Sequence, residues 1–386
     1  MLDGVDVALG ITGSIAAVKT VELAHELRRR GAEVRAVMTD SARGIVHPWA
    51  LEYATDNPVV TEITGAVEHV DLCGTDGWAD VLLIAPATAN TVGKVAAAVD
   101  DTPVTTCATT ALGAGVPVVI APAMHEPMYD HPGVIDAIER VESWGVDFVD
   151  PRIEEGKAKI ATEDAVALDV ARAAGDRPLA GERIVVTSGA TTESIDPIRT
   201  LSNRSSGKMG RAVARACYVA GADVTLVHDG PDLPYADVET VESAAEMLDA
   251  TLAAATDADA LVSAAAIGDY TVETRPEKIK SGDRVTLELT PTPKLLDRVR
   301  EEHPALTMVG FKTETVEDEE TLVSRARDLL ARVDLAFVVA NRASVMGEER
   351  TRVHLVDADV ATVCEGSKQE VAAAVAAKLA DAMGAS

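Results

Sequence analysis

The sequence predicts an α/β protein built from two doubly wound domains, and three observations carry that reading. The chain has 386 residues, more than one hydrophobic core usually serves. Its first half holds "DVLLIAPA" (80–87) and "PVVIAPA" (117–123), continuous apolar runs that suit strands buried on both faces of a parallel sheet. A strand–glycine loop–helix–strand opening occurs twice, from residue 5 and again from residue 183, as two Rossmann-like units would require.

The elements follow in order. "VDVAL" (5–9) is a short apolar strand, and "GITGSIAA" leads into a helix over about Val18–Arg30 that Gly31 stops. "EVRAVM" (33–38) is the next strand, followed by the two apolar runs. "GDRPLAGER" (175–183) is rich in glycine, proline and charge, and it divides the chain into domains 1–175 and 176–386. Beyond it come the strand "RIVVTSGAT" (183–191), a helix over about Lys208–Ala220, the strand "ADVTLV" (222–227), a helix near 243–255 and the strand "ADALVSAAA" (258–266). "RVHLVDADVATVCEG" (352–366) alternates and predicts a late hairpin. "KQEVAAAVAAKLADAM" (368–383) predicts a closing amphipathic helix.

Net charge is −28 and the sequence pI is near 4.6. The carboxylates are spread along the chain, which argues against an acidic tail and fits a soluble protein adapted to molar salt, as from a halophile. An ordinary acidic enzyme is the alternative. At about 1 M salt the screening length falls to about 3 Å, so such a surface need not repel anionic ligands. Basic residues form no stripe, which excludes a general nucleic-acid interface. No run of about 18 apolar residues is present, so no membrane span is expected. The start of the chain has no basic leader, and no signal peptide is expected. Cys73, Cys107, Cys217 and Cys364 form no C-x-x-C, so reduced thiols in a cytoplasmic protein are expected.

Polar clusters close several strands. Gly10, Gly13 and Ser14 stand between a strand and a helix, where small residues let backbone amides approach a phosphate. The spacing is not G-x-G-x-x-G, which weakens a dinucleotide reading. Thr39 and Ser41 follow the second strand, Thr88, Asn90 and Thr91 the third, and "APAMHEPMY" (121–129) the fourth. Turn chemistry explains any one cluster; several at equivalent strand ends point to a ligand. In the second half, "TLSNRSSGKMGRA" (200–212) contains Gly207-Lys208, yet Met209 follows and Ser202 occupies the position of the first P-loop glycine. It is no P-loop. Ser205, Ser206, Gly207 and Lys208 can still cradle an anion at a helix start.

In combination, G-x-T-G-S-I-A-A, H-V-D-L, W-A-D-x-x-x-x-A-P-A-T-A-N-T and P-A-M-H-x-x-M-Y resemble the homo-oligomeric flavin-containing cysteine decarboxylases over roughly residues 5–130. The resemblance implies a flavodoxin-like domain. FMN would be bound by Gly13, Ser14, Ile15, Thr39, Ser41, Thr88, Asn90 and Thr91, near Ala123. It implies catalysis by His69 and substrate contacts from His125 and Met128. A flavin suits such chemistry because loss of CO2 from an N-acylated cysteine needs an electron sink. Oxidation of the thiol to a thioaldehyde supplies one, and the electrons return afterwards. Two positions depart from the family. His125 replaces an asparagine, and "EEGKAKIATED" (154–164) lacks the cysteine of the substrate flap. Lys157 or Lys159 is left to cover the substrate, and Cys73 is an alternative proton donor or a packed thiol.

S-N-x-S-S-G-K-M-G, "AAAIGDYTVE" (264–273), "RPEKIKSG" (275–282), "GFKTET" (310–315) and "VVANRAS" (338–344) resemble, in order, the phosphopantothenate–cysteine ligase domain over most of residues 181–345. That resemblance implies joining of 4′-phosphopantothenate and cysteine through an acyl-cytidylate made from CTP with Mg2+. Asn203 would hold the acyl-cytidylate, Lys278 and Lys280 the triphosphate, and Asp269 and Phe311 the cytidine. The family's K-x-K-K is one lysine short here, and the lysines expected on the following helix are not evident, leaving Arg325, Arg327 and Arg332 as the available bases. Together the resemblances imply a bifunctional enzyme of coenzyme A biosynthesis, assembled from trimeric decarboxylase and dimeric ligase units, up to a dodecamer. A regulatory subunit with an incomplete first site and a nicotinamide-dependent oxidoreductase are the rival readings.

Overall fold

A computed structural model describes all residues except 155, 281, 283, 316–317, 343–349 and 385–386. Two compact units divide the chain, Met1–Gly175 and Asp176–Ser386.

The first unit is built on a five-stranded sheet in the order Glu33–Met38, Asp6–Ile11, Val81–Ala87, Val118–Pro122, Asp147–Phe148, with every neighbour parallel. The order reverses beside Asp6–Ile11, so ligands are expected at the carboxyl ends of this strand and Val81–Ala87. All seven residues of Val81–Ala87 are buried. That is why its sequence shows no alternation: both faces are covered, by helices such as Pro103–Ala114 and Glu163–Ala174. Each Val, Leu or Ile buried here contributes about 1.5–3 kcal/mol. The first helix begins differently from expectation. Ser14 caps a tight 3-10 turn, Ile15–Lys19, before the α-helix proper, Thr20–Arg29. Gly31 then turns the chain at φ +102°, a conformation that favours glycine.

The flap region forms an antiparallel hairpin, Arg152–Glu154 with Lys157–Lys159, whose second strand pairs with Met124–His125. Three-residue strands carry no usable periodicity, so the sequence did not announce this sheet.

The second unit holds eight strands in the order Asp237–Thr240, Asp223–His228, Arg183–Thr187, Ala260–Ser263, Thr307–Glu314, Phe337–Arg342, Arg350–Val356, Ala361–Ser367. The first six are parallel, in the 3-2-1-4-5-6 arrangement of a Rossmann sheet. The last two form the antiparallel hairpin expected from alternation. The helices Lys208–Val219, Ala244–Ala255 and Lys368–Met383 occupy the expected stretches. Two short ribbons, Thr192–Ser194 with Thr200–Ser202 and Tyr270–Val272 with Leu289–Pro291, sit outside the main sheet and were not expected.

Candidate functional site

The polar strand ends of the first unit meet one another. A Cβ on Gly13 would lie 2.5 Å from the Ser41 Cβ, so the loops after the first and second strands touch where only glycine fits. The Ser14 hydroxyl donates to the Ala123 carbonyl at 3.0 Å, beyond the fourth strand. Thr39 caps the short helix Asp40–Arg43 by accepting from the Ala42 N–H at 3.2 Å, and its hydroxyl lies 3.0 Å from that of Ser41. Thr88 caps Ala89–Ala96 in the same way, accepting from the Thr91 N–H at 3.2 Å with the two hydroxyls 3.0 Å apart. Asn90 and Ile15 are exposed, and Thr91 and Ala123 are buried. Thr12, which the sequence reading passed over, ties the first and third loops. Its hydroxyl donates to the Pro86 carbonyl at 2.7 Å and accepts from the Thr88 N–H at 3.3 Å.

The result is a cradle of hydroxyls and small residues at four neighbouring strand ends. Among its members Gly13, Ser14, Thr39, Ser41, Thr88 and Thr91 carry no charge, and a side chain at Gly13 would close it. Such a lining fits the phosphate and polar ring edge of a flavin nucleotide.

His69 sits on the helix Glu68–Cys73, and its Nδ1 is buried without a hydrogen-bond partner among the described residues. An unsatisfied buried nitrogen costs about 1–3 kcal/mol, so it asks for a function. Cys73 ends the same helix but is fully buried in the core with Cys107. A hydrogen bond shared with Cys73, then burial, pushes the Cys107 thiol far above its ordinary range. Cys73 is a packed thiol of the core. His125 and Met128 are exposed, and His125 lies opposite Lys157 in the small sheet. The flap thus reaches the P-A-M-H segment with a lysine. Lys159 instead pairs with Glu154 at 3.1 Å. Burial, then the carboxylates of Asp150, Glu142 and Asp130, push the Tyr129 phenol up.

In the second unit, a cavity of about 760 Å³ opens at the carboxyl ends of Ala260–Ser263 and Thr307–Glu314. Asn203, Ser205, Ser206, Gly207 and Lys208 form one wall, and Asp269 and Phe311 lie on the others. Gly207 has φ +67° and packs 3.0 Å, by its notional Cβ, from the Gly189 backbone, which sharpens the turn into the helix Lys208–Val219. The Asn203 amide donates to the Ala266 carbonyl at 2.7 Å. Lys278 and Lys280 are exposed on the segment after Tyr270–Val272 and do not line the cavity, and neither does Arg325, which pairs with Glu314. Ser281, Ala343 and Ser344 of the family-like segments lie outside the described residues.

Four cations that sequence reasoning passed over or left among alternatives do line the cavity: Lys294, Lys312, Arg332 and Lys368. Lys294 pairs with Asp269 at 2.5 Å and Lys312 with Glu314 at 3.3 Å, while Arg332 pairs with Asp297. With Lys208 they make a basic wall in a chain of net charge −28, and a basic wall suits a polyphosphate. Among the described residues no group of three or more His, Cys, Asp or Glu side chains is placed to hold a metal ion.

A neutral hydroxyl cradle suited to a flavin and a basic cavity suited to a polyphosphate thus stand on separate α/β units. Residues 1–174 match the Flavoprotein family, and residues 179–383 match the DNA/pantothenate metabolism flavoprotein C-terminal domain. A coenzyme A biosynthesis bifunctional protein of Thermococcus kodakarensis is 49% identical over 367 residues, covering 93% of this chain and 91% of that one. The protein of that description from Methanocaldococcus jannaschii is 34% identical over 98% of this chain and 94% of its own. The Bacillus subtilis one is 36% identical over 90% and 88%. The chain belongs to the family of coenzyme A biosynthesis bifunctional proteins.

Proposed function

We propose that the C-terminal unit, residues 176–386, joins 4′-phosphopantothenate to cysteine with CTP and Mg2+, and that the N-terminal unit, residues 1–175, decarboxylates the product to 4′-phosphopantetheine with FMN. The observation that carries the proposal is the pairing of the two sites in one chain. The first lining suits a neutral-walled flavin site and the second a triphosphate.

In the ligation, Lys208, Lys294, Lys312 and Arg332 attract the triphosphate and offset charge that grows on it as the carboxylate attacks the α-phosphorus. Pyrophosphate leaves, the cysteine amine attacks the acyl carbon, and CMP departs. Asn203, held by Ala266, presents its amide edge to the acyl-cytidylate. Mg2+ would be carried by the triphosphate, whose charge it would offset, given its preference for phosphate and water oxygens. Lys278 and Lys280 close over the triphosphate from their exposed segment.

In the decarboxylation, Ser14, Thr39, Ser41, Thr88 and Thr91 hold the flavin through hydroxyls and loop amides. When bound, FMN supplies a reversible two-electron sink. His69 takes and returns protons at the substrate sulfur, a role an imidazole suits near neutral pH. His125 donates a hydrogen bond to the substrate carboxylate in place of an asparagine, and the flap bearing Lys157 covers the site.

The chain acts as a homo-oligomer, built through trimers of the first unit and dimers of the second. Trp49 (74% exposed) and Tyr53 (78%) stand out on one short helix of a chain with only 3% aromatics, as an interface between copies would require. Free thiols support a reducing, cytoplasmic setting, and among the described residues no helix is long and apolar enough to cross a membrane. The acidic surface points to activity in molar salt. The test supplies each half-reaction separately in high salt. Flavin absorbance should accompany the protein, 4′-phosphopantothenoylcysteine alone should lose CO2, and CTP should be consumed only when 4′-phosphopantothenate is present. A colourless protein that reduces nicotinamide would overturn the proposal.

A further inference from the structure

The antiparallel ribbon Thr192–Ser202 is tied to three separate parts of the ligase site. Glu193 is buried, and its carboxylate accepts from the Ala244 N–H at 2.9 Å and from the Thr271 hydroxyl at 2.6 Å. Thr271 lies two residues after Asp269. The ribbon's second strand ends at Ser202, whose hydroxyl donates to the Thr191 carbonyl at 3.0 Å, so Asn203 emerges from a fixed point. The ribbon's tip carries Asp196, with a fully buried side chain. Oδ1 of Asp196 accepts from the N–H groups of Ile198 and Arg199, each at 2.8 Å. Oδ2 accepts from the Arg199 guanidinium and, at 3.0 Å, from the N–H of Ile279.

Ile279 is the residue between Lys278 and Lys280. Two further bonds hold the approach to it. The Thr274 hydroxyl donates to the Ser194 carbonyl at 2.7 Å, and the Arg275 N–H donates to the Ile195 carbonyl at 2.9 Å. The Arg275 bond is backbone to backbone, so it sets the path of the chain, whatever the side chains do. The lysine-bearing segment is otherwise exposed, and a free segment would spread its ammonium groups over many positions. Burial alone would push the Asp196 carboxyl up, yet the Ile279, Ile198 and Arg199 amides and the Arg199 guanidinium hold it well below the usual carboxylate range. It is charged at working pH and accepts all four bonds.

We propose that Asp196 is a positioning residue of the ligation. It anchors the Ile279 amide so that Lys278 and Lys280 are delivered to the triphosphate from the same ribbon that presents Asn203. This rests on the reading of Lys278 as a triphosphate contact. Misplacing such a group by about 1 Å can cost about 10²-fold in rate.

The test uses the full chain with Asp196→Asn, Lys278→Gln and the double variant. Three readouts are taken: pyrophosphate release from CTP with 4′-phosphopantothenate, decarboxylation of supplied 4′-phosphopantothenoylcysteine, and hydrogen exchange of the Ile279 amide. Asp196→Asn should lower kcat for pyrophosphate release by about 10- to 100-fold and speed Ile279 exchange, with decarboxylation unchanged. In the Lys278→Gln background the same substitution should cost little more, because the two act through one contact. Asp196→Glu should recover part of kcat. Unchanged Ile279 exchange, or fully additive losses, would overturn the proposal. Faster Ile279 exchange with normal pyrophosphate release in both single variants would instead remove Lys278 from the reaction, and the positioning role with it. Should Asp196→Asn fail to fold, Arg199→Met keeps the three backbone bonds to Asp196 and should leave kcat within about threefold; a loss as large as that of Lys278→Gln would contradict an anchor that works through the Ile279 amide.

Discussion

On the proposed function, the two units solve the same problem, holding an anionic ligand at the carboxyl ends of parallel strands, with different chemistry. The N-terminal cradle relies on hydroxyls that already bond to one another and to neighbouring carbonyls: Ser14 to Ala123, Thr39 to Ser41, Thr88 to Thr91. The C-terminal cavity relies on cations already held by carboxylates: Lys294 by Asp269, Lys312 by Glu314, Arg332 by Asp297. The first arrangement is intolerant of added volume at Gly13. In the second, a bound polyphosphate of the proposed kind would compete with these carboxylates for the cations, so screening would act on both sides of the exchange.

The largest expected effect separates the two units outright. His69→Asn should reduce decarboxylation at least about 100-fold, the scale of a lost acid–base group, while pyrophosphate release from CTP stays at the parent rate. A parallel fall in both, followed by mass spectrometry of the two products, would show that the units do not work separately.

Gly13→Ala comes next. The added Cβ meets the Ser41 side chain, and overpacking of this kind costs about 1–3 kcal/mol. Flavin affinity, measured by fluorescence on titration into the flavin-free protein, should drop about 10- to 100-fold.

Cys73→Ala sharpens the comparison from the other side. The thiol is buried in the core, so the substitution should cost about 1 kcal/mol of stability in urea denaturation and leave decarboxylation within about twofold of the parent. A large loss of turnover would return Cys73 to the catalytic set.

The smallest effect concerns an ion pair away from both sites. Lys378 donates to Asp357 at 2.6 Å, and that bond, with the Val360 and Asp359 amides, lowers the Asp357 carboxyl to about 2. Its unfolded value is about 3.9. The folded value is the lower one, so the pair's stabilisation is complete above about pH 4 and is lost as pH falls toward about 2. Lys378→Met should therefore lower the melting temperature at neutral pH, and the difference from the parent should shrink between about pH 4 and 2. A constant difference across that window would mean that packing, not charge, is lost.

How much of this was legible in the sequence differs between the units. The buried strands Val81–Ala87 and Val118–Pro122 announced themselves because both faces are covered and nothing polar interrupts them. The strand-end hydroxyls were legible as clusters, since helix caps need Ser and Thr at those very positions. Thr12 was not, because nothing local distinguishes a threonine that bonds 76 residues away to Thr88. In the second unit the S-N-x-S-S-G-K segment was plain. Lys294, Lys312 and Lys368 were not, since they come from three separate elements and only the sheet order brings them to one cavity. Glu193 lies on a three-residue ribbon strand and Asp196 in the turn beyond it, a stretch too short for periodicity to register.

One measurement tests the central claim most directly. The purified chain is incubated in high salt with 4′-phosphopantothenate, cysteine, CTP and Mg2+, and the products are weighed by mass spectrometry. The account predicts 4′-phosphopantetheine together with CMP, pyrophosphate and CO2, formed without a flap cysteine. Accumulation of 4′-phosphopantothenoylcysteine with no loss of CO2 would contradict it, leaving the basic cavity as a ligase and the hydroxyl cradle without its proposed chemistry.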